Sequence, residues 1–320
     1  MRAAVCVRYG PPEVLQIREV ERPAPRDDEI LVKIRATTVT SSDCYVRSGI
    51  PSAPIVMRTM MHLFVGIRRP RRAILGFVLA GEVEQVGRAV RGFGVGDRVF
   101  AFTNFQFGAF AQYTCLAERS TIAAAPANLT FEEAAAIPYG GLLALHYLKK
   151  GTIGSGQEVL VYGASGAVGT SAIQLARHFG ATVTAVCGRS NLDLARSLGA
   201  TTAIDYTTEE APPAGRRYDL VFDAVGKRKT SQLKVACSRA LTPGGRYVSV
   251  DDGTPKLPAS DLALLTELVE AGRIRPVIDR RYPLEQIVEA HRYVEQDHKK
   301  GNVIITVGHE GAGLPSAEPG

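Results

Sequence analysis

The sequence predicts an α/β fold, a doubly wound parallel sheet joined to a β-rich N-terminal domain. Three observations predict it. Short apolar or alternating runs, broken by turn residues, fill the first part of the chain. From about residue 124 onward, strand-like and helix-like segments alternate at the spacing of β-α-β units. A glycine-rich turn, Gly163–Gly169, joins one of those strands to the helix after it.

The early strands are expected at Ala3–Val7, Leu15–Val20, Ile30–Ala36, Phe77–Val86 and Arg98–Phe100, separated by Gly10-Pro11-Pro12, Pro23-Ala24-Pro25 and Gly92–Asp97. Many short punctuated strands suggest a small barrel or sandwich. Thr130-Phe131-Glu132-Glu133 reads as a capping box, with a helix through Ala134–Ala136 and another from Pro138 to Leu148. Strands then follow at Glu158–Tyr162, Thr182–Cys187, Ala203–Asp205, Leu220–Asp223 and Tyr247–Val250. The helices between them are Val168–His178, Leu192–Leu198 and Lys229–Ala240. Helices Asp261–Ala271 and Leu284–Glu295 and a strand Asn302–Val307 complete the chain, with a loose tail from residue 308 to 320.

Composition narrows the function classes. The 320 residues are 45% hydrophobic and 22% charged, ordinary for a packed globular protein. A net charge of +6 without a like-charged tail is weak support for nucleic acid, and none is expected as a partner. Five scattered cysteines, none in a CxxC pair, argue against a disulfide framework and a structural zinc site, and point to a cytoplasmic protein. No apolar run is long enough to span a bilayer.

The glycine turn carries the strongest functional signal. Gly163, Ala164, Ser165, Gly166, Ala167 and Val168 lie between a buried strand and a helix. Glycines let a pyrophosphate approach the backbone, and the helix N-terminus offers free N–H groups. An NAD site usually carries an acid at the end of the next strand. Here Gly188-Arg189-Ser190 stands there instead, and Arg189 suits a 2′-phosphate, so NADPH is the expected cofactor.

With these segments the chain resembles the medium-chain dehydrogenase/reductase superfamily, in particular its zinc-free quinone oxidoreductase branch related to zeta-crystallin. Matching stretches include Gly81-Glu82-Val83 through Gly96-Asp97-Arg98-Val99, Gly163–Gly169, Leu198-Gly199-Ala200, Phe222-Asp223-Ala224-Val225-Gly226 and Gly244-Gly245-Arg246-Tyr247. The resemblance implies a GroES-like catalytic domain over residues 1–123, a Rossmann NADPH-binding domain over 124–271, and a return to the catalytic domain over 272–307. It also implies that Tyr206 lies by the adenosine phosphate with Arg189 and Ser190, and that Val225, Gly226 and Ser249 line the nicotinamide end. The Lys300-Gly301-Asn302 stretch would cross the cleft, with Asn302 where relatives carry lysine and Lys300 as a substitute.

Zinc alcohol dehydrogenases of the superfamily carry a catalytic Cys, a Gly-His-Glu and a further Cys. Here Thr40 and Ser41, Gly76-Phe77-Val78, and Ile137-Pro138-Tyr139 stand in those regions, so no metal is expected. Hydride transfer to a quinone or an α,β-unsaturated carbonyl remains. Tyr45 is the expected proton donor and Thr40 a hydrogen-bond donor beside the nicotinamide, both within a segment that matches the family's Asn-x-x-Asp-x-Tyr-x-Arg-x-Gly. Asp43 and Arg47 are expected to pair with each other. The six histidines show no metal-like spacing and are expected at the surface or on helices.

Two departures stand out. Residues 51–75 combine methionines with arginines 68, 69, 71 and 72, and read as an apolar lid, a membrane-surface contact or a packed helical excursion. Asp251–Pro255 leads almost directly to a helix, where relatives usually have a strand that builds a dimer, so either a monomer or a homodimer is expected. The competing functions are an enoyl-thioester reductase of the same superfamily and a non-catalytic NADPH-binding sensor.

Overall fold

The computed structural model describes residues 1–50, 65–227 and 230–309. Its N-terminal part is organised by β3 (Glu29–Val39), an 11-residue strand that is nearly buried throughout. One edge of β3 pairs along its length with β4 (Val78–Val86). The other edge is shared: Glu29–Lys33 pair with β6 (Tyr113–Ala117), and Ala36–Val39 pair with β14 (Asn302–Thr306). With β5 (Arg98–Phe102), β7 (Thr121–Ala124) and β13 (Ile278–Pro283) the sheet order is β13-β14-β3-β4-β5-β7, with β6 on β3. Register shifts at Leu31/Val32 and Ile34/Ala36 are the irregularities that let such a sheet curl. A hairpin of β1 (Arg2–Cys6) and β2 (Leu15–Glu19) packs beside it.

The second sheet has the order β10-β9-β8-β11-β12 and is parallel throughout. Its strands are β8 (Glu158–Tyr162), β9 (Thr182–Cys187), β10 (Thr202–Asp205), β11 (Tyr218–Asp223) and β12 (Leu241–Ser249). Val159, Leu160 and Val161 have no exposed surface, as expected of a strand covered on both faces. The chain leaves β8 toward β9 and returns to the opposite flank of β8 at β11. The crevice where open α/β sheets bind ligands therefore lies beyond the C-terminal ends of β8 and β11.

The helices, in chain order, are α1 (Ser41–Arg47), α2 (Phe131–Ala135), α3 (Pro138–Lys150), α4 (Ala167–His178), α5 (Leu192–Ser197), α6 (Gln232–Arg239), α7 (Ala259–Glu270) and α8 (Ile287–Glu295). The expected capping box is present: Thr130 Oγ1 accepts from the Glu133 amide, and the Glu133 carboxylate accepts from the Thr130 amide at 2.9 Å. Among the described residues no helix is long and apolar enough to cross a membrane.

The structure corrects several expectations. Strands β6, β7 and β13 add to those read from the sequence. β13 is an edge strand with Asp279, Arg280 and Arg281 along it, so it lacks an apolar alternation. β12 starts at Leu241, ahead of the expected Tyr247. Its Pro243-Gly244-Gly245 reads as a turn but is taken up by a register shift opposite Tyr218 and Leu220. The helix expected from Leu284 opens with a 3-10 turn and becomes α-helical at Ile287. The expected helix start at Lys229 lies outside the described residues, and α6 begins at Gln232, capped by Ser231. The tail expected from residue 308 is tied down at its start, where Gly308 O accepts from Gln112 Nε2 and His309 Nε2 donates to Ile34 O at 2.7 Å. Of the segment 51–75, residues 51–64 lie outside the described residues, and arginines 68, 69, 71 and 72 are exposed.

Asp43 and Arg47 do not pair. Asp43 occupies the N3 position of α1, and its carboxylate turns back to the Thr40 amide and hydroxyl. Buried Arg47 pairs instead with Glu295 of α8 and donates to Gly10 O. Next to this joint His291, on helix α8, is fully buried. Its Nδ1 lies 3.3 Å from Cys44 Sγ, and its ring meets Phe110 edge-on. Burial pulls its pKa down to about 3.

A histidine neutral in the fold but protonated when unfolded makes the unfolded chain bind more protons between about 3 and 6.5, so its stabilisation is lost as pH falls below 6.5. Asp43, raised by burial to about 7, acts in the opposite sense over part of that window. In thermal melts, His291→Gln is expected to lose less Tm than the unsubstituted protein as pH falls through this range. Parallel Tm-versus-pH curves for the two proteins would show that His291 is not the acid-sensitive group.

Candidate active site

The three glycines of the turn do different work. Gly163 has φ +81°, and a Cβ there would lie 2.4 Å from Val225 Cγ2. A Cβ on Gly169 would lie 2.1 Å from Gly163 O, so this glycine lets α4 pack on the turn. At Gly166 the nearest atom is Gly163 O at 3.8 Å, which leaves its surface open. Gly163 and Ala164 spend their amides on Val186 O, both at 3.0 Å. Gly166 is the N-cap of α4 and has no side chain to cap it. The amides of Ala167 and Val168 open the helix there, with no acceptor inside it, and form the ready anion site of a helix N-terminus.

The cleft is closed from the other domain by backbone. Gly301 N donates to Ser165 O at 2.8 Å, and Gly166 and Gly301 form a parallel bridge. Gly301 has φ +58°, and a Cβ there would strike Val277 O at 2.3 Å. Lys299 Nζ donates to Gly301 O at 2.6 Å, and burial lowers its pKa to about 8. Two side chains of this stretch are expected to face the cofactor. Asn302 Nδ2 donates to Val277 O within its own domain, and Lys300 is exposed, with its amide on Asp279. The stretch reaches the turn through the backbone of Gly301, whose own conformation and neighbour Val277 exclude a side chain.

At the end of β9 lie Gly188, Arg189 and Ser190, the last two exposed. A Cβ on Gly188 would sit 3.4 Å from Tyr206 Oη, so Tyr206 covers this corner. Sequence reasoning looked for an acid at the end of β9; the acid comes from the end of β10. Asp205, 7% exposed, accepts from Arg189 Nε at 3.3 Å through Oδ2. Its Oδ1 is held by the Thr207 amide and hydroxyl, and these bonds, the amide's foremost, keep the carboxylate pKa low. Arg189 is therefore held along its Nε edge, while its side chain stays 79% exposed.

Beyond β11, Val225 and Gly226 each donate an amide to Asp223 Oδ1 at 3.1 Å. Asp223 Oδ2 receives Tyr247 Oη at 2.8 Å, Lys234 Nζ at 2.7 Å and, more distantly, Ser249 Oγ. Lys234 Nζ also donates to Gly226 O. This buried network fixes the turn where a nicotinamide is expected. Asp223 was visible in the sequence only as part of Phe-Asp-Ala-Val-Gly, and Lys234 had no local signal.

The expected catalytic pair fares differently. Thr40 is 3% exposed, and its hydroxyl donates to Asp43 Oδ2 at 2.6 Å while accepting from the Asp43 amide. The accepting role belongs to the α1 capping box, and the donated bond adds to it. Tyr45 is half-buried on α1. The hydroxyl that the fold brings in is Tyr139, at the start of α3. Its Oη lies 2.8 Å from Ser42 Oγ and 3.5 Å from Ser41 Oγ. Its ring adjoins Phe102 at 6.3 Å, and Phe102 stacks on Phe77 at 5.7 Å. The neighbouring Gly140 packs against the first turn of α4, where a Cβ would lie 2.2 Å from Ala167 O. Thr40, Phe77 and Tyr139, far apart in sequence, thus surround one place with aromatic rings and hydroxyls. Among the described residues, no three His, Cys, Asp or Glu side chains are grouped so as to hold a metal ion.

Comparison with known proteins agrees with this geometry. Residues 26–127 match the alcohol dehydrogenase GroES-like domain, and residues 167–281 match the zinc-binding dehydrogenase domain. The chain belongs to the medium-chain dehydrogenase/reductase superfamily, in its quinone oxidoreductase-like branch. It is 32% identical to the 2-methylene-furan-3-one reductase of Solanum lycopersicum, over 95% of this chain and 79% of that protein. Identity and coverage are the same for the chloroplastic NADPH-dependent alkenal/one oxidoreductase of Arabidopsis thaliana. The quinone oxidoreductase from Coxiella burnetii superposes with a TM-score of 0.82 at 26% identity, covering 96% of this chain and 99% of that one. The architecture is that of the superfamily, a GroES-like domain with a Rossmann-like domain.

The two glycine environments give a paired test. Gly169→Ala, with its Cβ forced onto Gly163 O, is expected to destabilise the fold by roughly 1–3 kcal/mol. Gly166→Val is expected to melt near the unsubstituted protein but to bind dinucleotide on the order of 10- to 100-fold more weakly, the loss of about one charge-assisted hydrogen bond. Melting and fluorescence titration distinguish them; normal binding by Gly166→Val would remove the turn from the cofactor site.

Proposed function

We propose that the protein is an NADPH-dependent oxidoreductase that reduces quinones or α,β-unsaturated carbonyls without a metal. The observation that carries this reading is the seam between the two sheets. An uncapped helix start lies open at Gly166, and the wall packed beside it through Gly140 and Tyr139 offers aromatic rings and hydroxyls where zinc relatives carry thiolates and an imidazole. The names of the tomato, Arabidopsis and Coxiella relatives support the same chemistry.

The residues present fit a dinucleotide. The amides of Ala167 and Val168 would hold the pyrophosphate. Arg189, with Ser190 and Tyr206 beside it, would receive a 2′-phosphate, and the Val225–Gly226 turn fixed by Asp223 would bound the nicotinamide. Bound there, the cofactor supplies a hydride to an electrophilic carbon. The chain's own part is to orient the two reactants and keep water from them, which Phe77, Phe102 and the Gly166–Gly301 contact do. Quinones and conjugated carbonyls accept hydride without a Lewis acid, whereas an unactivated alcohol or ketone lacks such help here.

All five cysteines are unpaired, which supports a reducing compartment such as the cytoplasm. Among the described residues no strand lies between β12 and α7, so β12 is the edge of the parallel sheet, an edge compatible with either a monomer or a homodimer.

Stopped-flow oxidation of NADPH against 9,10-phenanthrenequinone, 1,4-benzoquinone, 2-alkenals and a crotonyl thioester tests the reaction class. Turnover with the quinones or alkenals is expected; activity confined to zinc-supplemented alcohol oxidation would overturn the proposal. Arg189→Ala is expected to raise KM for NADPH on the order of 10- to 100-fold with little change for NADH, and Asp205→Asn to move it the same way by less. An equal effect on both cofactors would take Arg189 out of the phosphate site.

A further inference from the structure

We propose that Tyr139 is the proton donor in reduction of a conjugated carbonyl, with Ser42 as the hydroxyl that resupplies it. The inference rests on the reductase reading above and deepens it by naming a residue that neither the family motif nor the relatives' names assign.

Four observations carry it. Tyr139 is 8% exposed, and its hydroxyl is bonded to Ser42 Oγ at 2.8 Å, so the phenol is aimed and has a partner for its proton. Its ring continues the Phe77–Phe102 wall, which gives the hydroxyl an apolar setting where a carbonyl substrate's flat conjugated part can lie. Its neighbour Gly140 is jammed against Ala167, whose amide belongs to the pyrophosphate site. That fixes Tyr139 relative to the cofactor turn by backbone contact rather than by a flexible side chain. Finally, Thr40 has its hydroxyl committed to Asp43 and is removed from competition.

The chemistry balances. Hydride from the reduced nicotinamide, carrying two electrons, forms the new C–H bond at the β-carbon. The alkene π pair moves to give the enolate. The Tyr139 O–H bond breaks, and its proton goes to the enolate α-carbon. The phenolate left behind takes the Ser42 hydroxyl proton, and half-buried Ser42 takes one from water. The products are the saturated carbonyl and the oxidised dinucleotide. A quinone differs, because its reduced form is a stable hydroquinone anion whose oxygens are protonated by solvent. Tyr139 is thus required for one substrate class and dispensable for the other.

That split is the test. Tyr139→Phe removes only the hydroxyl, keeps the ring against Phe102, and is expected to melt and bind NADPH as the unsubstituted protein does. Its kcat on an α-substituted enal is expected to fall about 10²-fold, the usual worth of a placed general acid, with phenanthrenequinone turnover little changed. In deuterated water the label at the α-carbon, read by NMR, is expected on one face with Tyr139 present and on both faces in Tyr139→Phe. Ser42→Ala is expected to lower enal turnover less and to retain one-face labelling. Unchanged enal turnover with one-face labelling in Tyr139→Phe would overturn the inference, as would an equal loss on enal and quinone, which marks a packing residue. Absence of turnover on both classes by the unsubstituted protein would instead overturn the function reading beneath it.

Discussion

The site depends on one close approach between backbones. Gly301 N meets Ser165 O at 2.8 Å, and the Gly166–Gly301 bridge continues the contact. This contact joins the return segment of the barrel-like sheet to the glycine turn proposed to hold the dinucleotide. Gly301 makes it in a left-handed conformation, φ +58°, where a Cβ would strike Val277 O at 2.3 Å. The cleft is then built outward from that point. α4 starts there with open amides, Gly140 seats α3 on its first turn, and Tyr139 and Ser42 meet beside it. Lys299 reinforces the contact by donating to Gly301 O, a half-buried lysine placed to hold one carbonyl.

The second constraint is the cost of burying charge. Asp223 is 2% exposed and survives because every part of its carboxylate is used: two backbone amides on one oxygen, and Tyr247, Lys234 and Ser249 around the other. A charge buried with that many partners is costly to break and strongly directional. The same logic places Asp205, which is held by Thr207 on one side and leaves the other oxygen to orient Arg189. In both places an acid at the C-terminal end of a parallel strand shapes the loop that follows it or its neighbour.

How much of this was legible depended on whether the signal was local. The glycine turn, the Thr130 capping box and the alternation of β8 to β11 are short-range patterns, and the structure shows them where the sequence placed them. Arg189 was legible as a charge at a strand end, but its partner comes from the neighbouring strand and left no mark near it. The Thr40 hydroxyl has two possible destinations, the cleft and the acid three residues on, and in this fold it is donated to Asp43. Tyr139 has no local signal, because its hydroxyl acquires meaning only when α1 folds against it. Edge strand β13 was invisible because exposure removes the apolar alternation by which strands are recognised.

The most direct measurement follows the hydride itself. The protein, treated with a chelator, is incubated with NADPH deuterated on the transferring face of the nicotinamide and with an α,β-unsaturated ketone, and the product is read by NMR. Deuterium is expected on the β-carbon of a saturated ketone. Deuterium on the carbonyl carbon of an allylic alcohol, formed only after zinc is restored, would contradict it.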